Sequence, residues 1–208
     1  NKFTLFKSNP FNPNSLVSSF IWTVCETSDS TLWMGTNAHG ISCFDQRRGT
    51  YTHYDHNPFD PTSLSHSSVR KIYQDSRGRI WIGTDGGGLN LFKASDRSFV
   101  HFRHDPDDPA SISHNSVRAV YEDRQGRIWV GTRDGLNLLI EQDMRFKRYL
   151  MEADQQEGPP RNFIYNSIHQ DNNDNLWVGT YGGGLCMLNV EDGSCISYSH
   201  DPEDPNTI

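Results

Sequence analysis

The sequence predicts an all-β protein built of repeated four-stranded antiparallel units. The first observation is a Trp-x-Gly-Thr phrase that recurs every 48 residues, with its tryptophans at Trp33, Trp81, Trp129 and Trp177. A period of about 40–50 residues is typical of proteins in which each repeat is one supersecondary module. The second observation is that each 48-residue unit contains four short apolar segments separated by turn residues, without a helical period.

Each unit begins with a strand that we call the inner strand. A tight turn follows, and then the strand that holds the repeated tryptophan, which we call the Trp strand. The inner strands are rich in β-branched and aromatic residues and cover 21–25, 69–73, 117–121 and 165–169. The turns begin at Asp75, Asp123 and Asp171, and Thr27 takes this position in the first unit. An Asp side chain can accept a bond from the backbone two residues on, and Gly or Asn tolerates positive φ, so this segment joins two strands tightly.

A glycine-rich bend follows the Trp strand and leads into the third and fourth strands. The third strands are 41–44, 89–92, 136–139 and 185–188, and the fourth strand carries aromatic residues two or three positions apart. Phe3 and Phe6 show the same spacing ahead of the first unit. We therefore expect blades at 17–54, 65–102, 113–150 and 162–199, and the outer strand of a preceding blade at 1–7.

A four-stranded meander cannot bury its own faces, whereas copies stacked radially bury them against each other. This favours a β-propeller. A β-helix repeat is far shorter, and a helical solenoid requires a 3.6-residue pattern. The linkers, such as 57–64 and 105–112, carry two prolines three positions apart, which forbid a regular strand or helix. The linker 151–162 departs from this pattern, and we interpret it as a different local loop within one continuous architecture.

Charge and composition limit the classes of partner. The net charge of −7, without a basic run, argues against nucleic acid or an anionic membrane. There is no transmembrane stretch or signal peptide. The chain begins inside a repeat and ends in a linker, so we expect a piece of a longer protein. Its end blades would then expose apolar faces, which favours self-association of the isolated chain.

The four cysteines are interpreted as small buried apolar residues. Cys25, Cys43, Cys186 and Cys195 stand at strand positions that other units fill with Tyr, Leu, Asn or Phe. Cys186 and Cys195 lie on neighbouring strands of one hairpin, but the turn places them out of opposition. No Cys/His spacing indicates a metal site. The 171–175 turn lacks the Gly and Glu of a calcium loop, so we predict neither metal nor cofactor.

Function is expected where the units differ while their framework stays the same. Residues that every unit repeats, the four tryptophans included, are expected to serve packing. The linker and the bend after the Trp strand should open on one face, around the mouth of a central channel. Candidate ligand-binding residues on that face are Trp22, Asn37, His66, Arg70, Asp85, His114, Asn115, Arg118, Arg133, Asn166 and Tyr181.

This mixture of side chains favours a sugar ligand. A flat aromatic ring can pack against sugar C–H groups, while planar polar groups bond hydroxyls. Arg70, Arg118 and Arg133 could also pair with an acidic sugar. Catalysis would require a paired acid and base, such as Asp85 with Asp134, yet each of these stands alone in its loop. We predict no catalytic residue, and a lyase- or glycosidase-like enzyme and a purely protein-docking propeller stay open as alternatives.

The phrase S-V-R-x-I/V-Y-x-D-x-x-G-R-I-W-I/V-G-T resembles the repeat of two-component regulator propellers. It stands at 68–84 and again at 116–132, and the resemblance extends over the whole chain. It implies seven-bladed propellers in the periplasmic sensor region of hybrid two-component histidine kinases. It further implies a homodimer, oligosaccharide sensing, and membrane and kinase segments that lie outside this chain. On this basis we expect a sensor segment without enzymatic activity of its own.

Overall fold

The computed structural model describes residues 5–149, 164–191, 193–200, 202–204 and 207. The regular secondary structure of these residues consists of strands alone, which form four sheets of four strands each. Within every sheet the strands follow one another in chain order, and the paired strands are antiparallel. This arrangement confirms the predicted all-β fold of four-stranded blades.

The blades are numbered in chain order. Blade 1 contains β1 (Ile21–Glu26), β2 (Thr31–Thr36), β3 (Ile41–Asp45) and β4 (Thr50–Tyr54). Blade 2 contains β5 (Val69–Gln74), β6 (Ile80–Thr84), β7 (Leu89–Lys93) and β8 (Ser98–Phe102). Blade 3 contains β9 (Val117–Glu122), β10 (Ile128–Thr132), β11 (Gly135–Ile140) and β12 (Arg145–Tyr149). Blade 4 contains β13 (Ile164–Gln170), β14 (Leu176–Thr180), β15 (Gly184–Leu188) and β16 (Cys195–Tyr198).

The chain divides into two compact units. Unit 1 covers Asn1–His101 and holds blades 1 and 2, whereas unit 2 covers Phe102–Ile208 and holds blades 3 and 4. The described part of the chain contains no helix of the length and hydropathy that crossing a membrane requires.

In unit 1 the core lies between the two blades. Trp33 of blade 1 is buried with Ile72 and Ile82 of blade 2. Its ring stacks on Tyr54 at 5.8 Å and meets Phe92 edge-on at 4.9 Å. Aromatic rings bury large areas and prefer such offset or edge-on contacts, so this cluster holds the two blades together.

The core of unit 2 is built in the same way. Trp129 of blade 3 is fully buried with Leu176 and Val178 of blade 4, and its ring lies 5.4 Å from that of Tyr149. The expectation that a repeated Trp packs between neighbouring sheets is therefore confirmed for Trp33 and Trp129.

The linkers cover the outer edges of the blades. The N–H of Phe99 on β8 donates to the carbonyl of Thr62 at 2.8 Å, and Phe146 on β12 donates in the same way to Ala110. In blade 1 the Asn14 side chain accepts the N–H of Tyr51. An uncovered edge strand invites pairing with other chains, so each of these three linkers protects the blade that it enters.

The structure differs from the expectations for the cysteines and for the outer strand at 1–7, and it does not describe the linker 151–162. Cys186 and Cys195 form a disulfide, contrary to our interpretation. They are out of opposition as expected, because Cys186 lies across from Ser197, but the diagonal still brings their Cα atoms to 5.7 Å, within disulfide range. Of the outer strand expected at 1–7, residues 5–7 are not in a strand and residues 1–4 lie outside the described residues. The linker 151–162 also lies outside them.

Candidate functional site

A carboxylate fixes the turn and the Trp strand of each of blades 2, 3 and 4, and in blades 2 and 3 it is buried. In blade 3 the Trp129 indole N–H donates to Asp123 Oδ2 at 2.8 Å, and the Arg127 Nε donates to the same oxygen. Asp123 Oδ1 accepts two backbone N–H groups of the turn. Asp75 and Trp81 repeat this arrangement in blade 2.

Blade 4 shows why its acidic turn is a structural feature. The Asp171 carboxylate accepts bonds from the Trp177 indole, the Asn175 side chain and the backbone of the turn. The Trp177 and Asn175 bonds hold the pKa of Asp171 well below its ordinary value of 3.8. These donors use both carboxylate oxygens, and the bond from the N–H of Asn173 is the one that the turn interpretation predicts. Among the described residues no three His, Cys, Asp or Glu side chains come together as a metal site requires.

A second polar group anchors the linker to the blade. In blade 3 the side chain of Asn137 accepts the N–H of Ser113 and donates to the Ser113 hydroxyl and to the carbonyl of Val130. Asn90 makes the same three bonds in blade 2. Both amides are fully buried, so these bonds fix where the linker passes over the blade.

The bend after the Trp strand is joined to the residue before the inner strand. The N–H of Asp85 donates to Ser68 O at 2.9 Å, Arg133 donates to Ser116 O at 3.0 Å, and Asn37 donates to Phe20 O at 3.3 Å. In blades 1, 2 and 3 the bend and the end of the linker therefore meet at one end of the blade, as the sequence predicts. We call this end the loop end.

At the loop end of unit 1 three predicted site residues come together. Arg70 donates to Asp85 Oδ2 through Nη2 at 2.5 Å and through Nε at 3.0 Å. Its guanidinium carbon lies 4.1 Å from the centre of the Trp22 ring, which is a cation–π contact. The Arg70 side chain is 15% exposed and Trp22 is 49% exposed, so the ion pair is shielded while the indole stays accessible.

His66 stands over the bend of blade 2. Its Nδ1 accepts the N–H of Ser68 at 3.0 Å, which leaves the proton of the neutral ring on Nε2. A Cβ at Gly86 would lie 3.6 Å from this ring, and one at Gly87 would collide with Ser65. The glycines therefore let the bend pass closely beneath the histidine. His114 accepts the N–H of Ser116 in the same way in unit 2.

The sequence did not single out Phe20. This residue is 77% exposed and lies directly before β1, two positions ahead of Trp22. Asn37, which is exposed, is tied to Phe20 by its backbone bond. The available signal was that the Phe20 position reads Ser68 and Ser116 in the next two blades.

The predicted residues of unit 2 differ in environment. Arg133 and Tyr181 are exposed at their bends, and Arg118 is half-buried. Asn115 accepts the N–H of His104, so its side-chain oxygen supports the linker. The Asn166 backbone lies in β13, and its side chain is outside the described part of the structure.

Comparison with known proteins agrees with this architecture. The model of a family described as Two component regulator propeller matches residues 15–38, 63–86, 111–134 and 158–182. The chain has no match among curated proteins.

Several solved structures are similar to this chain along most of its length. The extracellular domain of a protein described as a hybrid two component system of B. thetaiotaomicron is 26% identical, with a TM-score of 0.75 over 98% of this chain and 25% of that one. The extracellular domain of a one component system of B. thetaiotaomicron is 22% identical, with a TM-score of 0.70 over 95% of this chain and 27% of that one. This chain thus spans about a quarter of their length.

A streptogramin B lyase is also similar, at 18% identity and a TM-score of 0.61 over 91% of this chain and 56% of that one. At this identity the likeness shows the fold alone.

Proposed function

We propose that this chain, which belongs to the two-component regulator propeller family, is a ligand-sensing segment of the extracytoplasmic region of a two-component sensor. The observation that carries the proposal is its likeness to the extracellular domain of a hybrid two component system along almost its whole length. The sensor would lie in the periplasm, anchored by segments outside this chain.

The ligand class follows from the loop end. The backbone framework of neighbouring blades is the same, but the residues that it displays change from Asn37 to Asp85, Arg133 and Tyr181 along the four bends. Aromatic rings beside planar polar groups suit an oligosaccharide, because sugar C–H faces pack on the rings and the hydroxyls bond the polar groups.

Binding alone would not produce a signal. The ligand must have different affinities for two arrangements of the sensor, and a homodimer of the whole protein provides two protomers whose relative position can change. In this proposal the segment binds and does not catalyse, while the kinase reaction belongs to another part of the protein.

The test is calorimetric titration of the chain with a panel of neutral and uronic-acid oligosaccharides of four to six sugar units. We expect at least one of them to bind with a dissociation constant in the micromolar to millimolar range. The variant Phe59→Ala is a control that should bind like the unmodified chain, because Phe59 is an exposed aromatic residue in a linker of unit 1 outside the candidate site. Absence of binding across the panel would contradict the sugar proposal and favour protein docking.

A further inference from the structure

We propose that the Cys186–Cys195 disulfide is a redox-sensitive clamp, which holds the fourth strand of blade 4 where blades 1, 2 and 3 use bonds to the linker. The disulfide joins β15 to β16, the last two strands of that sheet. When it is oxidised it fixes β16, and when it is reduced it releases this strand. This role does not depend on the ligand that the chain binds.

One position of the third strand bonds the linker in each of blades 1, 2 and 3. Its residues are fully buried, namely Ser42, Asn90 and Asn137. The side-chain oxygen of each accepts a linker N–H, which comes from Val17, Ser65 and Ser113 respectively. In blade 4 this position is Cys186. A disulfide sulfur has no hydrogen to donate and accepts only weakly, so residue 186 cannot anchor a linker in this way.

Two positions of the fourth strand bond the linker as well. At the first position the backbone N–H donates to the linker, from Tyr51, Phe99 and Phe146. At the second position the side chain bonds a linker carbonyl, from His53, His101 and Arg148. Blade 4 has Cys195 and Ser197 at these two positions, and Ser197 lies directly across from Cys186. The disulfide therefore stands where the other blades bond their linkers.

The linker sequence of blade 4 changes together with these positions. Its prolines stand side by side at Pro159 and Pro160, whereas the linkers of the other blades have two prolines three positions apart. Arg161 takes the position of Ser65 and Ser113, whose hydroxyls accept from the third-strand amides. Both partners of the anchor thus change in the blade that has the disulfide. We infer that the disulfide has taken over the fastening of β16.

The strand β16 requires a fastening because of its length and its place. It has four residues and lies at the edge of its sheet, paired with β15. A segment with few backbone partners opens locally at a small cost in free energy. A disulfide across the strand pair limits the freedom of the opened segment and so opposes this opening.

A dithiol can open the clamp by thiol–disulfide exchange. The half-buried Cys195 is the more accessible half of the bond, since Cys186 is buried. A thiolate of the dithiol forms a bond to Cys195 Sγ, and Cys186 leaves as a thiolate that takes up a proton. The second thiolate of the dithiol then displaces the Cys195 sulfur, which also takes up a proton. The dithiol becomes a disulfide, and two electrons pass to the protein.

Hydrogen exchange followed by mass spectrometry, before and after treatment with dithiothreitol, tests the clamp. Alkylation of the unfolded, unreduced chain should find two free thiols, those of Cys25 and Cys43. Reduction should accelerate amide exchange in β16 about tenfold. The equivalent strand β12, which has its linker bonds, is the internal control and should not change. Reoxidation with oxidised glutathione should restore the slow rate.

Two variants complete the test. Cys195→Ser should show the fast exchange of β16 without dithiothreitol and should not respond to it. Cys25→Ser removes a free thiol and should behave like the unmodified chain. Reduction of the unmodified chain needs no variant, so it decides the outcome even where Cys195→Ser does not fold. Four free thiols in the unreduced chain, unchanged exchange of β16 on reduction, or equal acceleration of β12 and β16 would each overturn the clamp.

Discussion

The interior of the blades and their loop ends follow opposite rules. In the interior the same bonds recur at the same positions, as in the indole–carboxylate pairs of Trp81 with Asp75 and of Trp129 with Asp123. At the loop end the backbone hydrogen bonds recur, but the residues that make them have different side chains in each blade. Trp22 and Arg70 stand at equivalent positions of neighbouring blades and differ in size, charge and chemistry.

The difference shows which residues determine the free energy of unfolding and which are available for ligand binding. Buried polar groups must keep their partners, since an unsatisfied buried group is costly, and this restricts the interior to one solution. Side chains at the loop end retain contact with water and can change without such a cost. We therefore expect substitutions in the interior to lower stability and substitutions at the loop end to alter binding.

The largest effect is expected for Trp129→Ala. Trp129 is fully buried, fills the space between blades 3 and 4 and bonds Asp123. Its truncation should lower the free energy of unfolding by about 3–5 kcal/mol, the usual cost of removing a large buried side chain. Urea unfolding measures this. A loss similar to that of Trp22→Ala, whose ring is half exposed, would break the distinction.

A smaller loss is expected for Asn137→Ala. This change removes the partners of the Ser113 N–H and of the Val130 carbonyl at a fully buried position, which should cost about 2–3 kcal/mol. Asn173→Ala, at an exposed position of the β13–β14 turn, is the control and should have little effect. Equal stabilities of the two variants would show that the linker anchor is dispensable.

Acid should reduce the stability that the turn carboxylates contribute to the fold. Burial acts to raise the pKa of Asp75, but the bonds from Trp81 and Arg79 outweigh it, so its pKa is lowered; that of Asp171 is lowered by Trp177 and Asn175. A carboxyl with a depressed native pKa contributes stability that is complete above its unfolded pKa and is lost as the pH falls through the native value. The free energy of unfolding should therefore decrease below about pH 4.

Asp171→Asn tests this dependence on pH. The variant should be less stable at neutral pH and should show a shallower decrease in acid than the unmodified chain, in urea unfolding at a series of pH values. Asp143→Asn, at an exposed position of the β11–β12 hairpin, should retain the full decrease. An unchanged slope for Asp171→Asn would assign the acid sensitivity to other groups.

The smallest effect on stability is expected for Arg133→Gln. Arg133 is exposed, and the change leaves its backbone bond to Ser116 in place, so the free energy of unfolding should shift by less than about 0.5 kcal/mol. Calorimetric titration with the tightest-binding oligosaccharide of the panel should show weaker affinity, because Arg133 is a candidate ligand-binding residue of unit 2. A loss of more than about 1 kcal/mol in stability would place Arg133 in the framework instead.

The sequence predicted the framework well because the framework repeats. The 48-residue period, the turn aspartates and the absence of a helical pattern together were sufficient for four four-stranded blades. A repeated residue also reveals its role, since Trp33 and Trp129 proved to pack between sheets in their units.

The loop end was less accessible to prediction because pairing there depends on side-chain geometry between blades. Spacing placed Arg70 and Asp85 at the same end of blade 2, but not their ion pair or the contact with Trp22. Phe20 was missed because it lies just before the strand. The Cys186–Cys195 disulfide was missed because only directly opposite residues were expected to pair. A diagonal pair on neighbouring strands can also lie within disulfide range, as the Cα–Cα distance of 5.7 Å shows.

The most direct test of this contrast is hydrogen exchange of the five tryptophan indole N–H groups, followed by NMR. We predict that the indoles of Trp81 and Trp129, which are buried and bonded to aspartates, exchange only with unfolding of the blades, while that of Trp22 exchanges fastest. Rapid exchange at Trp81 and Trp129, or protection at Trp22 equal to theirs, would contradict the division between a structural interior and an accessible binding surface.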